Sequence, residues 1–207
     1  MRNSGSCLSV VRNMRFTFDP RRTAQAAAWL LHQHGGQLTR GKLLKLLYLA
    51  DRRALVETGS PITGDYMVSM DQGPVLSITY DLIKGNYAEP NARAIWDHYV
   101  RSVPKTIGVR AATAPPRRGA ERAAYDHLSK YDLTTLRRIN DAFGALPWEQ
   151  LSNYTHGLPE WQNPFGSTWP IMPEDILTGE NVSRERVLDI THDAAETHEL
   201  RVLFGSE

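Results

Sequence analysis

The sequence predicts a mainly α, α+β fold: a single helical domain with a small β-hairpin or strand element and a C-terminal helical extension. Three observations predict it. Asp19-Pro20 opens an alanine-rich amphipathic stretch, as an N-cap followed by proline at the first helical position. A leucine-dense run from Lys42 leads through Gly59 into a short extended stretch and then Gly73-Pro74. Beyond residue 120 apolar residues recur mostly at helical spacing, with few alternating segments.

The elements follow in order. Residues 1–13 are polar and aperiodic, and read as a disordered leader or as an over-long start, with Met1 or Met14 as the first residue. A helix runs from Asp19-Pro20 to about His34, with Ala24, Ala27, Ala28 and Leu31 on one face, and Gly35-Gly36 stops it. Thr39 caps the next helix, which Gly59 ends. Its stripe of Leu43, Leu46, Leu47 and Ala50, flanked by Leu44, Tyr48 and Leu55, predicts a central, largely buried position. Tyr66, Val68 and Met70 alternate as a short strand. Gly73-Pro74 is expected to start a third helix, with Val75, Ile78 and Leu82 on one side and Gly85 closing it. Trp96, His98 and Val100 alternate and are expected to pair with Thr106–Arg110 as a hairpin. Pro115-Pro116 makes Ala111–Gly119 a loop. Helices are then expected over Glu121 to about Ser129, through Leu133, Leu136, Ile139 and Phe143 to Gly144, and from Pro147 with Trp148, Leu151 and Thr155 on one side. His156–Pro173, rich in proline, reads as an irregular connection, and a last helix spans Ser183–Leu203 with Ser183 as its cap.

Totals bound the function classes. With 207 residues, 41% hydrophobic, 23% charged and a formal net charge of +1, the chain has no bulk signature of a nucleic-acid coat or membrane-surface protein. Charge is polarised along it. Residues 1–53 carry ten Arg/Lys against two acids, and residues 172–207 carry three Arg against nine acids. Such polarity steers an oppositely charged partner or holds the two ends of one fold together. A single cysteine, Cys7, allows no intrachain disulfide and fits a cytoplasmic location. No apolar stretch reaches the roughly 18–20 residues that cross a bilayer.

Motifs for phosphate cradling, dinucleotide binding, a nucleophile elbow or a helical zinc site are absent from the sequence, so no catalytic residue, cofactor or metal ligand is assigned. Asp189, Asp193 and Glu196 share a helix face with His192 adjacent, and read as a solvated acidic face or, less simply, as a metal site for a hydrolase. His32 and His34 sit at a helix C-terminus, favourable against its dipole. Thr155-His156 with Trp161 suggests either an acid–base group or an imidazole bonded to chain ends while the indole fills the core. Residues 36–53, with Arg40, Lys42, Lys45, Arg52 and Arg53, have the outline of a helix-turn-helix, but the would-be recognition helix is apolar around most of its surface.

The run KLLKLLYLAD, then Gly59-Ser60-Pro61-Ile62, then Gly73-Pro74-Val75, resembles the core signature of the Panacea domain of SocA-like antitoxins, found also in mobile-element and prophage proteins. Met14-Arg15-Phe16 with Asp19 is similar to the family's start, and Leu133–Trp161 to its second half. The resemblance runs from about Met14 to Trp161 and implies an antitoxin domain over 14–170; the acidic helical extension over 171–207 lies outside it. The resemblance implies neutralisation of a cognate toxin by direct protein–protein binding, with presentation to a Clp-type protease as a further role, and requires no catalysis. Leu43, Tyr48, Gly73, Pro74, His156 and Trp161 are then family-signature residues read as scaffold, and Lys42 and Asp51 go either way. Leu44, Leu47 and the proline-rich Ala111–Gly119 depart from the family pattern. The alternative reading is a DNA-binding transcriptional regulator acting through residues 36–53.

Overall fold

A computed structural model describes residues 14–103 and 107–204. The expected leader at 1–13, including Cys7 and the choice between Met1 and Met14, falls outside the described residues, as does Thr106. The fold is mainly α with some β, as the sequence predicts, and the β part is two small three-stranded antiparallel sheets rather than one hairpin or strand element.

Helix α1 (Pro20–Gln33) begins as expected, with the Asp19 carboxylate accepting from the backbone N–H groups of Arg21 and Arg22. Its alanines are fully buried, which lets neighbouring backbones approach closely. Strand β1 (Gln37–Thr39) leads into α2 (Arg40–Thr58), capped by Thr39 and closed by Gly59 in the left-handed conformation at φ +85°. A Cβ at Gly59 would lie 2.8 Å from the side chain of Ile190, so both dihedral and packing demand glycine here. Then follow β2 (Met67–Met70), β3 (Gly73–Leu76), α3 (Ser77–Lys84), α4 (Pro90–Tyr99), β4 (Val100–Ser102) and β5 (Gly108–Ala111). The second half holds α5 (Glu121–Ala124), α6 (Lys130–Phe143), α7 (Trp148–His156), β6 (Trp169–Ile171), α8 (Pro173–Gly179) and α9 (Arg184–Phe204).

Helix α2 is the axis of the fold. Residues 43–52 are buried without interruption, and α1, α6, α7, α8, β1, β3 and β5 all pack against it. One sheet has the order β1-β5-β4, with Leu38 opposite Val109; the other has β3-β2-β6, with Met67 opposite both Leu76 and Ile171. The sheets thus flank α2 rather than form a core of their own.

Several expectations are corrected. Gly73-Pro74 does not start a helix: residues 73–76 pair with β2 across the turn at Asp71-Gln72, and the helix begins at Ser77. The inward face of β2 is Met67 and Ser69, whereas Tyr66 is 63% exposed and Val68 and Met70 are half-buried. Trp96 and His98 belong to α4, which Glu89 caps ahead of Pro90, so the hairpin is only β4 with β5. Within the stretch expected to be irregular, Trp169–Ile171 adds a third strand to β2, and α8 starts at Pro173. The helix expected to reach Ser129 is the single turn α5. Ser183 caps α9 as expected, its hydroxyl accepting from the Arg186 N–H.

Helix α3 has no cap of its own, since Leu76 occupies the N-cap position. Asp65 reaches it from the preceding loop: its carboxylate accepts from the N–H groups of Ile78 and Thr79 at 2.9 and 2.7 Å and from the Thr79 hydroxyl at 2.7 Å. Beside it Asp51 of α2, fully buried, accepts from the N–H and hydroxyl of Thr63. Burial pushes Asp51 up to about 7 and Asp65 up to about 6, against the donors that favour their anions. Asp65→Ala removes the cap and orphans buried N–H groups, and is expected to destabilise the chain by about 2 kcal/mol in urea unfolding.

Candidate functional site

Lys45, Tyr48 and Arg52 lie at i, i+3 and i+7, on one face of α2. Residues 155–161, from the end of α7 into the following turn, cross that face. Each of the three polar side chains finds its partner there or in the strand beneath. The Tyr48 hydroxyl donates to Glu160 Oε1 at 2.7 Å, and Arg52 donates to both Glu160 oxygens at 2.7 and 3.1 Å and to Glu180 at 2.6 Å. Glu160 is 5% exposed, so this ion pair is dry and holds the crossing segment to α2 with forked geometry. Burial, and then the neighbouring Glu160 charge, push the Tyr48 phenol well up.

Lys45 differs from its neighbours. It is 1% exposed, donates from Nζ to the Pro74 carbonyl at 2.8 Å, and has no carboxylate partner among the described residues. Burial lowers its amine to about 7. The slot that holds it exists because Gly73 has no side chain. At φ +93° a Cβ there would lie 2.6 Å from Lys45 Nζ, 2.9 Å from Thr155 Oγ1 and 3.1 Å from His156 Cδ2. The His156 ring stacks on Trp161 at 4.3 Å between centroids, and the indole N–H donates to the Met70 carbonyl at 3.1 Å. His156 Nε2 is buried with no hydrogen-bond partner. Burial first, and the Lys45 charge second, lower the His156 imidazole, and a hydrogen bond from its ring to the Asp71 backbone opposes them.

From Lys45 a groove of about 780 Å³ opens between the start of α2, the Asp71–Gly73 turn and the 166–168 loop. Arg40, Tyr80, Ile107 and Trp148 form its walls. The Trp148 ring lies on Gly41, where a Cβ would sit 2.6 Å from it, and so extends the groove wall over the first turn of α2.

The signature residues read from the sequence divide into two groups. Gly73, Pro74, His156 and Trp161 gather around Lys45 beneath the groove, with Gly73 alone of the four lining it; Leu43, Tyr48 and Asp51 lie inside the core around α2. Lys42 is half-buried and donates to the Leu146 carbonyl at 3.1 Å, which ties α2 to the turn after α6. Sequence reasoning took Lys45 only as a cation of the helix-turn-helix outline, and it missed Glu160. A lysine inside a leucine stripe was the available signal for the first. For Glu160, within a proline-rich connection, there was none.

Helix α2 is no recognition helix. Lys45 and Arg52 are buried, Arg53 pairs with Glu57, and the helix shows no free polar face to a groove of DNA. Asp189, His192, Asp193 and Glu196 of α9 face solvent, and no cluster of three metal-ligating side chains occurs among the described residues. His32 and His34 do more than face a helix dipole. His32 bonds the Tyr125 hydroxyl and the Thr113 carbonyl, and His34 bonds Asn140. Among the described residues no helix is long and apolar enough to cross a membrane.

A family model described as antitoxin SocA-like, Panacea domain, matches residues 43–162. It begins within α2 and ends one residue past Trp161, so it encloses Lys45, Gly73, Pro74, Thr155, His156 and Glu160. No curated protein and no solved structure matches the chain.

Two outcomes test this geometry. Glu160→Ala strips Arg52 and the Tyr48 hydroxyl of their buried acceptor, leaving Arg52 only the more exposed Glu180, and should cost about 3 kcal/mol in urea unfolding. For Lys45 the sign is the reverse of an ordinary paired lysine. Its folded value, about 7, lies below its usual 10.5, so between those values the unfolded chain binds more protons and stability rises with pH. Lys45→Met removes that rise. Relative to the parent protein, its melting temperature should fall steadily as pH is raised from 7 to 10, followed by circular dichroism.

Proposed function

The chain belongs to the SocA-like, Panacea-domain antitoxin family, and from that premise we propose that it neutralises a cognate protein toxin by binding it directly. The family match across residues 43–162 carries the reading. Neutralisation by contact asks for a rigid surface and no bond-making, and we read the chain as a binder rather than an enzyme. The cytoplasm is its proposed location. In this reading Leu43, Tyr48, Asp51, Gly73, Pro74 and Trp161 serve as scaffold, with the antitoxin domain over 14–170 and the acidic extension over 171–207 adding individual specificity. Handing the bound toxin to a Clp-type protease is a further proposed role, and in vitro degradation of the toxin with and without this chain tests it. The alternative of a DNA-binding regulator through residues 36–53 loses support, because Lys42, Lys45 and Arg52 bond inside the protein and Arg53 pairs with Glu57.

The gene beside this one supplies the test of toxin neutralisation. Its product, induced alone, is expected to arrest growth, and co-expression of this chain should restore it. A neighbour that is harmless, or toxic but not rescued, removes the reading.

A further inference from the structure

The groove above Lys45 combines three features that the core does not require. The first is an exposed aromatic held in a strained conformation. Phe165 is 83% exposed and has φ +51°, in the left-handed region that a bulky residue rarely adopts. Two hydrogen bonds hold it there: its own N–H donates to Asn163 Oδ1 at 2.9 Å, and the next N–H, of Gly166, donates to Asp71 Oδ1 at 2.8 Å. The adjoining residues 166–168 line the groove, which places Phe165 next to its rim. Nothing inside the chain gains from exposing a phenyl ring on a pinned, strained backbone.

The second feature is apolar surface. Ile107 is 63% exposed and Trp148 37% exposed, and both line the groove. With Phe165 they form a set of separated anchors around a cavity large enough for several side chains. The third is charge. The lining carries Arg40, which has no ion pair among the described residues; Lys45 beneath it is buried, bonded to the Pro74 carbonyl, and adds little to that charge. The single lining acid, Asp71, already accepts from Gly166. Arg40 lies 5.9 Å from the Tyr80 ring centroid, which orients its guanidinium across the groove without neutralising it. The vacant complement is therefore negative and partly apolar.

We propose that this groove is where the toxin docks, and that it receives a toxin segment in which an acidic side chain sits beside aliphatic or aromatic ones. The carboxylate meets Arg40, and the apolar side chains enter between Phe165, Ile107 and Trp148. This rests on the antitoxin reading and names the surface through which it acts. Aromatic anchors and an arginine at the centre of a pocket are the residue types that dominate binding energy at protein interfaces.

The experiment measures binding of the purified product of the adjacent gene by titration calorimetry, together with growth rescue. Phe165→Ala and Arg40→Glu are compared with Leu188→Glu, a change at a half-exposed position on α9 outside the groove. Phe165→Ala and Arg40→Glu should each weaken binding at least tenfold and reduce rescue, with melting temperatures unchanged, while Leu188→Glu binds as the parent does. Rising salt should weaken the parent complex and have less effect on Arg40→Glu. If the parent binds and rescues but both groove variants do so equally well, or if Leu188→Glu alone is impaired, the groove assignment is wrong while the antitoxin reading stands. If the parent neither binds nor rescues, the antitoxin reading falls and takes this one with it.

Discussion

A helix buried on all sides has to find a partner for every polar atom it carries, and α2 carries four such side chains within eight residues: Lys45, Tyr48, Asp51 and Arg52. Water is not available to any of them, so the surrounding segments are arranged around their needs. Thr63 turns toward Asp51, Pro74 presents its carbonyl to Lys45, and Glu160 answers Tyr48 and Arg52 together. Leucine burial drives the collapse around α2, but leucines alone would allow the helix to rotate or slide. The buried polar contacts pin one rotation and one translation. Lys45 is the least satisfied of the four: its amine has three hydrogens and a single carbonyl acceptor among the described residues. That is why burial acts on it so strongly.

Local signals made much of this legible. Asp19-Pro20 and Thr39 named their helices because a cap acts within one turn, and Gly59 ended α2 for the same reason. The reading failed where pairing partners lie far apart in the chain. Gly73-Pro74 looks like a helix start to any local rule, yet the strand at 67–70 recruits it. Trp169–Ile171 was read through its proline, which does not disqualify it from a three-residue strand at the end of the sheet. The alternation at Trp96, His98 and Val100 outweighed a better clue, Glu89-Pro90, which has the same form as the pair that opens α1. At the candidate site Gly73, His156 and Trp161 stood out as motif residues. Their meeting with Lys45 required the crossing of residues 155–161 over α2, which no spacing encodes.

The polarised charge of the sequence is only partly absorbed by the fold. Arg52 and Glu180 join the basic and acidic ends in an ion pair, and the His198 ring bonds the Thr17 hydroxyl. Most acids of α9 remain on solvent, while Val187, Ile190 and Ala194 attach that helix to the body. The reading that the polarity holds the two ends of the fold together is therefore met in part, and the surplus charge stays at the surface.

Tyr48 and Glu160 are 112 residues apart in the chain, and the strap that covers α2 arrives late from the ribosome. Until it emerges, a nascent α2 presents leucines, a tyrosine and two cations on a face with nothing to cover it. Closing so distant a contact is slow compared with forming the helix itself. The interval leaves the half-made protein open to chaperones and proteases, and Lys45 is enclosed only when the same strap closes.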